Sequence, residues 1–353
     1  MTEFDVARRR QLVRAAVMYY LEGSTQQQIA HHLRVSRATA GRLVASARAE
    51  GIVRVEISPG ISREVEIERA LELAYGLEEA VVVNPADVHQ GGSVDLGQGC
   101  ADILQRRLMP GMTVGLGWSS DPNEWIGRTA EVLQAAARRQ SPTPEVTVVQ
   151  MAGAAPDDPR QGNPMRTVSA VADALGAQEI LVAAPLYVRS PHTARNLLAD
   201  RGIAAAMAAV ERANICMFGV GHVTATTPLV RNGYLDIVTV QQLQSLGAVG
   251  DLCGRFYDAD GEPVRGDLAE CTIAATIPTI ARSALRVAIA AGPERVESLR
   301  ACLTARLANA VVTDTPTAQA MLRPAANTRT RPSAPLDTAS PRASNTGTKR
   351  KVT

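Results

Sequence analysis

The chain has 353 residues, enough for two domains with cores of their own. Hydrophobic residues make up 46% of it and aromatic residues only 3%, which favours an α/β interior of Ala, Val, Leu and Ile over an all-β sandwich. No apolar run is long enough to span a membrane, and the N-terminus lacks the apolar stretch of a signal peptide, so we expect a cytoplasmic protein.

Charge is distributed unevenly along the chain. Residues 1–54 hold nine arginines and four acidic residues, a net charge of +5, whereas residues 55–324 hold 22 arginines and 30 acidic residues, a net charge of −8. Residues 325–353 are basic again, with six basic residues and one acidic residue. A basic N-terminal module on an acidic body is typical of a nucleic-acid binder joined to a small-molecule or assembly domain.

The five cysteines are widely spaced and never form a CxxC pair. This spacing argues against a disulfide framework and against a zinc site. We expect reduced, mostly buried cysteines, no metal and no cofactor.

The first predicted elements are three helices. Apolar residues at helical spacing predict a helix over 6–21. Thr25 and Gln28 form a capping box at the start of a second helix, and Ser36 caps a third helix that runs to about Glu50. Residues 53–57 then alternate in strand fashion. The pattern predicts a winged helix-turn-helix DNA-binding domain over residues 1–58.

The residues at the start of the second and third helices suit DNA contact. In a helix-turn-helix the second helix of the motif lies in the major groove and the preceding helix crosses the backbone. Hydroxyl, amide and guanidinium groups recognise phosphates and base edges; the candidates are Gln26, Gln27, Ser36, Arg37, Thr39 and Arg42. Arg34 stands in the turn where glycine is common, because that position needs a positive φ. The alternative is an ordinary helical hairpin with a solvated arginine face, a reading that also applies to Arg8, Arg9 and Arg10.

From residue 59 the chain alternates between helices and short apolar strands. Predicted helices cover 67–77, 96–108 and 124–139, and predicted strands cover 79–83, 112–118, 146–153, 179–186, 214–221 and 285–292. This alternation indicates a doubly wound α/β domain over 59–324 with a ligand site at the carboxyl ends of its strands. The composition of residues 325–353 predicts a disordered basic tail.

Several motifs together resemble the SorC family of bacterial sugar-responsive transcriptional regulators. They are the helix-turn-helix segment, VGLGW, MAG, AAPLYV, MFGVG, LGAVGDLCGRFYDADGEPV and VVTDTPTAQAML. The resemblance implies a winged helix-turn-helix followed by an effector domain similar to sugar-phosphate isomerases. It also implies a homodimer or homotetramer on palindromic operator DNA, regulated by a sugar, polyol or sugar-phosphate.

The resemblance also implies a set of ligand-binding residues. They are Trp118, Ser119, Ser120, Asp121, Gly153, Gly221, Asp251 and Arg295. The family has Gly-x-Thr where this chain has Ser119-Ser120-Asp121, which disfavours phosphate because of the added carboxylate. Arg295 replaces a family lysine and retains phosphate affinity, so the two departures point in opposite directions.

Other interpretations remain open from the sequence. Asp121, Asp251 and His222 could serve a sugar-phosphate isomerase or deaminase, although no paired acid and base stand at motif spacing. Residues 115–120 and 219–224 are glycine-rich, but neither completes the GxGxxG of a dinucleotide-binding redox sensor. Trp118 and Trp125 could stack on a ligand or belong to the core.

Overall fold

The computed structural model describes residues 3–53, 64–84, 95–117, 125–137, 145–154 and 164–324. The chain divides into two compact units, with the boundary between Gly60 and Ile61. The predicted wing at 53–57, beyond Val53, and the predicted tail at 325–353 lie outside the described residues. So do the candidate ligand residues Trp118, Ser119, Ser120 and Asp121.

The first unit contains three helices: α1 (Glu3–Tyr20), α2 (Gln26–Leu33) and α3 (Arg37–Ala49). The capping box at α2 is confirmed, since the Gln28 N–H donates to the Thr25 hydroxyl and the Thr25 N–H donates to the Gln28 side chain. Ser36 caps α3, and Arg34 between the two helices has a φ of +53°. A small apolar core that includes Ala15, Ile29, Ala40 and Val44 holds the helices together.

The second unit alternates helices and strands. Its helices are α4 (Val65–Tyr75), α5 (Leu96–Arg107), α6 (Trp125–Ala137), α7 (Pro164–Leu175), α8 (Pro191–Ala199), α9 (Arg201–Glu211), α10 (Pro228–Arg231), α11 (Ile237–Ser245), α12 (Asp267–Glu270), α13 (Ile277–Ile280), α14 (Val296–Thr304) and α15 (Thr315–Leu322). Its strands are β1 (Glu79–Val83), β2 (Thr113–Leu116), β3 (Thr147–Gln150), β4 (Gln178–Ile180), β5 (Ile215–His222), β6 (Ala248–Leu252), β7 (Arg255–Asp258), β8 (Leu285–Ile289) and β9 (Ala310–Asp314).

Seven of these strands form one parallel sheet in the order β1-β9-β8-β5-β2-β3-β4. Alternate strand residues enter two apolar clusters, as the two faces of a pleated sheet require. Val81 packs with α5, α6 and α7, whereas Val82 packs in the cluster that holds α9, α14 and α15. Helices therefore cover both faces, and the predicted α/β class with a parallel sheet is confirmed.

An antiparallel hairpin of β6 and β7 extends the sheet beyond the end of β5. Its turn is Cys253-Gly254, and both residues have positive φ, +53° and +74°, as a two-residue type I′ turn requires. The hairpin was not predicted from the sequence. It carries Asp251 back to the carboxyl edge of the parallel sheet.

No helix in the described ranges is long and apolar enough to cross a membrane.

Candidate functional site

Because all seven strands of the main sheet are parallel, their carboxyl ends share one edge, where open α/β sheets bind ligands. Gly153 follows β3, Gly221 lies within β5, and Arg295 ends a single 3₁₀ turn after β8. The hairpin adds Asp251 opposite Gly221 in the β5–β6 register. The candidate ligand residues that the structure describes thus all lie on the elements that form this edge.

The contact between Gly221 and Asp251 explains why residue 221 is a glycine. A Cβ atom at Gly221 would overlap the Oδ1 atom of Asp251. The other carboxylate oxygen, Oδ2, accepts a 3.2 Å hydrogen bond from the Gly254 N–H in the hairpin turn. The carboxylate is therefore held between the β5 backbone and the turn.

Burial has the largest effect on the pKa of Asp251, which is only 8% exposed. It raises the pKa of the carboxyl to about 6, against the lowering effects of the Gly254 N–H and of the positive charge on Arg295. A buried carboxyl that is poorly compensated by protein donors is suited to receive hydroxyl donors from a ligand.

Arg295 is buried, and neighbouring protein groups already occupy part of its guanidinium. Its Nη1 atom donates to the Ala291 carbonyl oxygen at 2.9 Å and to the Glu294 carboxylate at 2.8 Å. This ion pair with Glu294 reduces the net positive charge that a ligand phosphate would meet.

Gly153 is fixed by backbone packing. Its N–H donates to the Ile273 carbonyl at 2.8 Å, and a Cβ atom at this position would collide with the carbonyl oxygens of Ala184 and Pro185. Gly153 therefore lets three chain segments meet beneath the edge, which is a packing role that does not need ligand contact.

Three other residues of the second unit have defined places, and two of them, Trp125 and His222, were named from the sequence. Trp125, at the start of α6, is buried in the cluster with α5 and α7, which favours the core interpretation. His222, at the end of β5, is buried, and its Nδ1 atom lies 2.9 Å from the Thr224 hydroxyl. Asp258 acts in a turn, where its carboxylate accepts from the N–H groups of Asp260 and Glu262.

Sequence reasoning missed Arg255 and Tyr187. Arg255, at the start of β7, directs its guanidinium at the carbonyls of the segment 269–275, and the Tyr187 hydroxyl donates to the Gly254 carbonyl at 2.9 Å. Both residues belong to motifs that carried the family resemblance, GRFYD and AAPLYV. Their place in these motifs could have drawn attention to them. Their contacts could not be predicted, because they depend on the fold of the β6–β7 hairpin.

A cavity of about 410 Å³ lies beside the hairpin. None of the described candidate ligand residues, Gly153, Gly221, Asp251 and Arg295, lines it. It is lined by α11, β7 and residues 263–269, with apolar walls from Leu243, Phe256 and Leu268. Arg255 borders it, but the guanidinium is occupied by backbone carbonyls. We therefore place the candidate site at the carboxyl edge. In the described part of the chain, no cluster of three or more His, Cys, Asp or Glu residues could hold a metal ion.

The first unit presents a second candidate surface. Gln27, Ser36, Arg37 and Arg42 are exposed, whereas Gln26 and Thr39 are half-buried. The Ser36 and Thr39 hydroxyls lie 2.8 Å apart within the α3 cap, and Arg42 donates to the Thr39 hydroxyl at 3.2 Å. The side chains of Ser36, Thr39 and Arg42 thus lie together in the first turns of α3.

Known proteins share this architecture. Residues 60–323 match the family model described as "Putative sugar-binding domain". The chain is 27% identical over 314 residues to the erythritol catabolism regulatory protein EryD of Brucella abortus, covering 88% of this chain and 95% of that protein. It is 28% identical over 311 residues to the deoxyribonucleoside regulator of Bacillus subtilis, covering 88% and 96%.

A solved structure matches across both units. The full-length sorbitol operon regulator SorC from Klebsiella pneumoniae aligns with a TM-score of 0.63 at 24% identity, covering 89% of this chain and 99% of that chain. The sequence of the sorbitol operon regulator of that species is 25% identical over 321 residues, covering 89% and 98%.

These findings define a transcriptional regulator with a sugar-binding α/β domain. The chain belongs to the sugar-binding-domain family of regulators, and the resemblance to the SorC family is confirmed. The relatives are named as regulators, so the alternative of an isomerase or deaminase is not supported.

Proposed function

We propose that the chain binds operator DNA through its first unit and that a neutral sugar or polyol in the second unit sets the affinity for that operator. The observation that carries this proposal is the buried Asp251 carboxylate, held over Gly221 at the carboxyl edge of the sheet. Effector binding shifts the population between states that differ in DNA affinity. The regulator acts in the cytoplasm, on genes for carbohydrate or polyol catabolism.

A winged helix-turn-helix is the proposed DNA-binding element. We assign α3 to the major groove, with Arg37 and Arg42 reaching bases or phosphates and Gln26 and Gln27 near the DNA backbone. Ser36 and Thr39 have a second task, because their hydroxyls cap α3. The positive charge of residues 1–54 supports this assignment.

Two copies on a palindromic operator fit the symmetry rule for helix-turn-helix regulators. Apolar side chains on α1 support an association between first units, since Val13, Val17 and Tyr20 are exposed along one stripe of the helix and Leu21 is exposed directly after it. We therefore propose a homodimer or homotetramer, which light scattering of the purified chain measures directly.

The site's own residues favour a neutral effector over a phosphorylated one. A phosphate beside Asp251 would meet a second negative charge, and the positive charge on Arg295 is partly neutralised by Glu294. A hydroxyl group instead donates a hydrogen bond to the carboxylate. The named relatives regulate erythritol, sorbitol and deoxyribonucleoside genes, and the first two names are consistent with a polyol.

The DNA assignment is tested with an operator fragment selected from a random DNA library. We expect Arg37→Ala and Arg42→Ala each to weaken binding by about fivefold to a hundredfold, because a lost charge-assisted contact is worth about 1–3 kcal/mol. Arg69→Ala is the matched control, since Arg69 is an exposed arginine of the second unit with the same charge. Unchanged affinity in both α3 variants would remove α3 from the DNA interface.

The effector site is tested by the thermal stability of the full chain with erythritol, sorbitol and their monophosphates, because a ligand of the folded state raises the melting temperature. We expect a neutral polyol to stabilise the wild type and Gly221→Ala to abolish that response, because the added methyl displaces Asp251. Gly202→Ala is the control, since a Cβ there meets its nearest neighbour at an ordinary 3.4 Å. A response to the monophosphates alone would overturn the neutral-effector proposal.

A further inference from the structure

We infer that Arg255 is the positioning residue of the effector site: it holds the Asp251 hairpin and the backbone under Gly153 in one hydrogen-bonded frame. This inference rests on the proposed effector site. Among the described residues, the Arg255 guanidinium donates to backbone carbonyls and not to the Asp251 carboxylate, so it acts on the site through other groups.

The guanidinium of Arg255 is a multiple carbonyl clamp. Its Nε atom donates to the Ala275 carbonyl at 2.9 Å, and its Nη2 atom donates to the carbonyls of Ala274 at 2.8 Å and Thr272 at 3.1 Å. Its Nη1 atom reaches the Ala269 carbonyl at 3.2 Å. The guanidinium spreads five donors over three nitrogen atoms in a fixed plane, whereas a lysine ammonium has three donors on one atom, so the fork suits several carbonyls of one segment.

The clamped segment, residues 269–275, supports the floor of the site. The Ile273 carbonyl accepts from the Gly153 N–H at 2.8 Å, and the Ala275 N–H donates to the Met151 carbonyl at 2.8 Å. Thr272 and Ala274 form isolated bridges to Tyr187 and Ala152. The position of the backbone after β3 is thus tied to the segment that Arg255 holds.

The other end of the frame is the hairpin turn. Arg255 directly follows Gly254, whose N–H donates to Asp251 and whose carbonyl accepts from the Tyr187 hydroxyl. Since Tyr187 also bridges to Thr272, the turn and the clamped segment are connected twice. A shift of the segment 269–275 would therefore move Asp251 and Gly153 together. The hydrogen bonds of Arg255 and Tyr187 thus fix the positions of these two residues relative to each other.

The test compares Arg255→Lys with Arg300→Lys in the full chain. Arg300 is a matched control, because it too is a half-buried arginine of the second unit whose guanidinium donates to backbone carbonyls, those of Ala320 and Arg323. Lysine keeps the charge of Arg255 and loses the fork. We expect Arg255→Lys to weaken the response to erythritol or sorbitol about tenfold or more, the effect of losing one or two such hydrogen bonds. DNA affinity without effector should stay within about twofold in both variants.

Two further measurements keep the inference testable. Tyr187→Phe removes a single bond of the frame and serves if Arg255→Lys does not fold; we expect about a threefold to tenfold weaker response. Hydrogen exchange of residues 151–154 and 252–254 needs no effector, and we expect faster exchange in Arg255→Lys and unchanged exchange in Arg300→Lys.

The outcomes separate the two proposals. A wild type that responds to no polyol overturns the proposed effector, while the exchange measurement still decides the role of Arg255. A full polyol response in Arg255→Lys, or equal exchange in the two lysine variants, overturns the positioning role.

Discussion

The buried carboxylate of Asp251 lowers the stability of the folded protein, which indicates a role in function and not in stability. Burial raises the pKa of its carboxyl to about 6, and the Gly254 N–H offsets this only in part by donating one hydrogen bond. Selection retains such groups where a ligand completes their hydrogen bonds. The sequence identified Asp251 and Gly221 through motifs, but their contact across 30 residues depends on the register of β6 against β5.

The pKa of Asp251 predicts an unusual dependence of stability on pH. The unfolded carboxyl titrates near pH 4 and the folded one near pH 6, so between these values the folded state binds more protons. The contribution of Asp251 to the free energy of unfolding therefore decreases as pH rises from about 4 to about 6 and stays constant above that. We expect Asp251→Asn to be more stable than the wild type at pH 7, by about 1–3 kcal/mol, because a shift of one pKa unit corresponds to about 1.4 kcal/mol.

Urea denaturation of both proteins from pH 4 to pH 7 measures this effect. The difference in the free energy of unfolding should vanish near pH 4 and grow as the pH rises. A variant that is less stable than the wild type at pH 7 would contradict the assignment of Asp251 as a destabilising carboxylate.

Among the secondary-structure elements, those with local signals were predicted well. The strand over 79–83 and the caps at Thr25 and Ser36 agree with the structure, because capping and apolar runs are encoded by near neighbours. The hairpin was missed because its type I′ turn is Cys253-Gly254, without the Asn-Gly or Asp-Gly signal of such turns. Only the tertiary structure shows that Cys253 adopts a positive φ there.

The edge strand β1 depends on a side-chain acceptor from helix α4. The carboxylate of Glu68 on α4 accepts the N–H of Val82 at 2.9 Å, so it satisfies a strand donor on the side facing away from β9. Removing the acceptor leaves a buried N–H without that partner, and we expect Glu68→Ala to lower the free energy of unfolding by about 1–3 kcal/mol. Glu66→Ala on the exposed face of α4 should change it by less than about 0.5 kcal/mol. Urea denaturation compares the variants, and equal stabilities would show that water replaces Glu68.

For the whole molecule, the uneven charge separates two binding functions that differ in their response to salt. The first 54 residues carry a net charge of +5 and residues 55–324 a net charge of −8. In the proposed function, DNA binding by the basic part would release counterions, so its affinity would decrease steeply with salt. The proposed neutral polyol would release none on binding to the acidic part. The charge asymmetry was visible in the sequence, whereas the effector class also required the tertiary contact between Asp251 and Gly221 and the rotamers that pair Arg295 with its neighbour Glu294.

The salt dependence of the two affinities is therefore the prediction for the whole chain. We expect the logarithm of the operator affinity to decrease linearly with the logarithm of the salt concentration, with a slope of about 0.9 for each neutralised phosphate. If Arg37 contacts phosphate in two copies, Arg37→Ala reduces that slope by about 2. If Arg37 instead contacts a base, the variant loses affinity without that reduction of the slope.

The polyol affinity of the same chain should remain constant over the same salt range, because a neutral ligand neutralises no charge on the protein. Fluorescence anisotropy of labelled operator and calorimetry with the polyol measure the two dependences on one preparation. If the polyols do not bind and a polyol monophosphate binds with an affinity that decreases with salt, effector binding involves charge neutralisation and a phosphorylated effector replaces the neutral one.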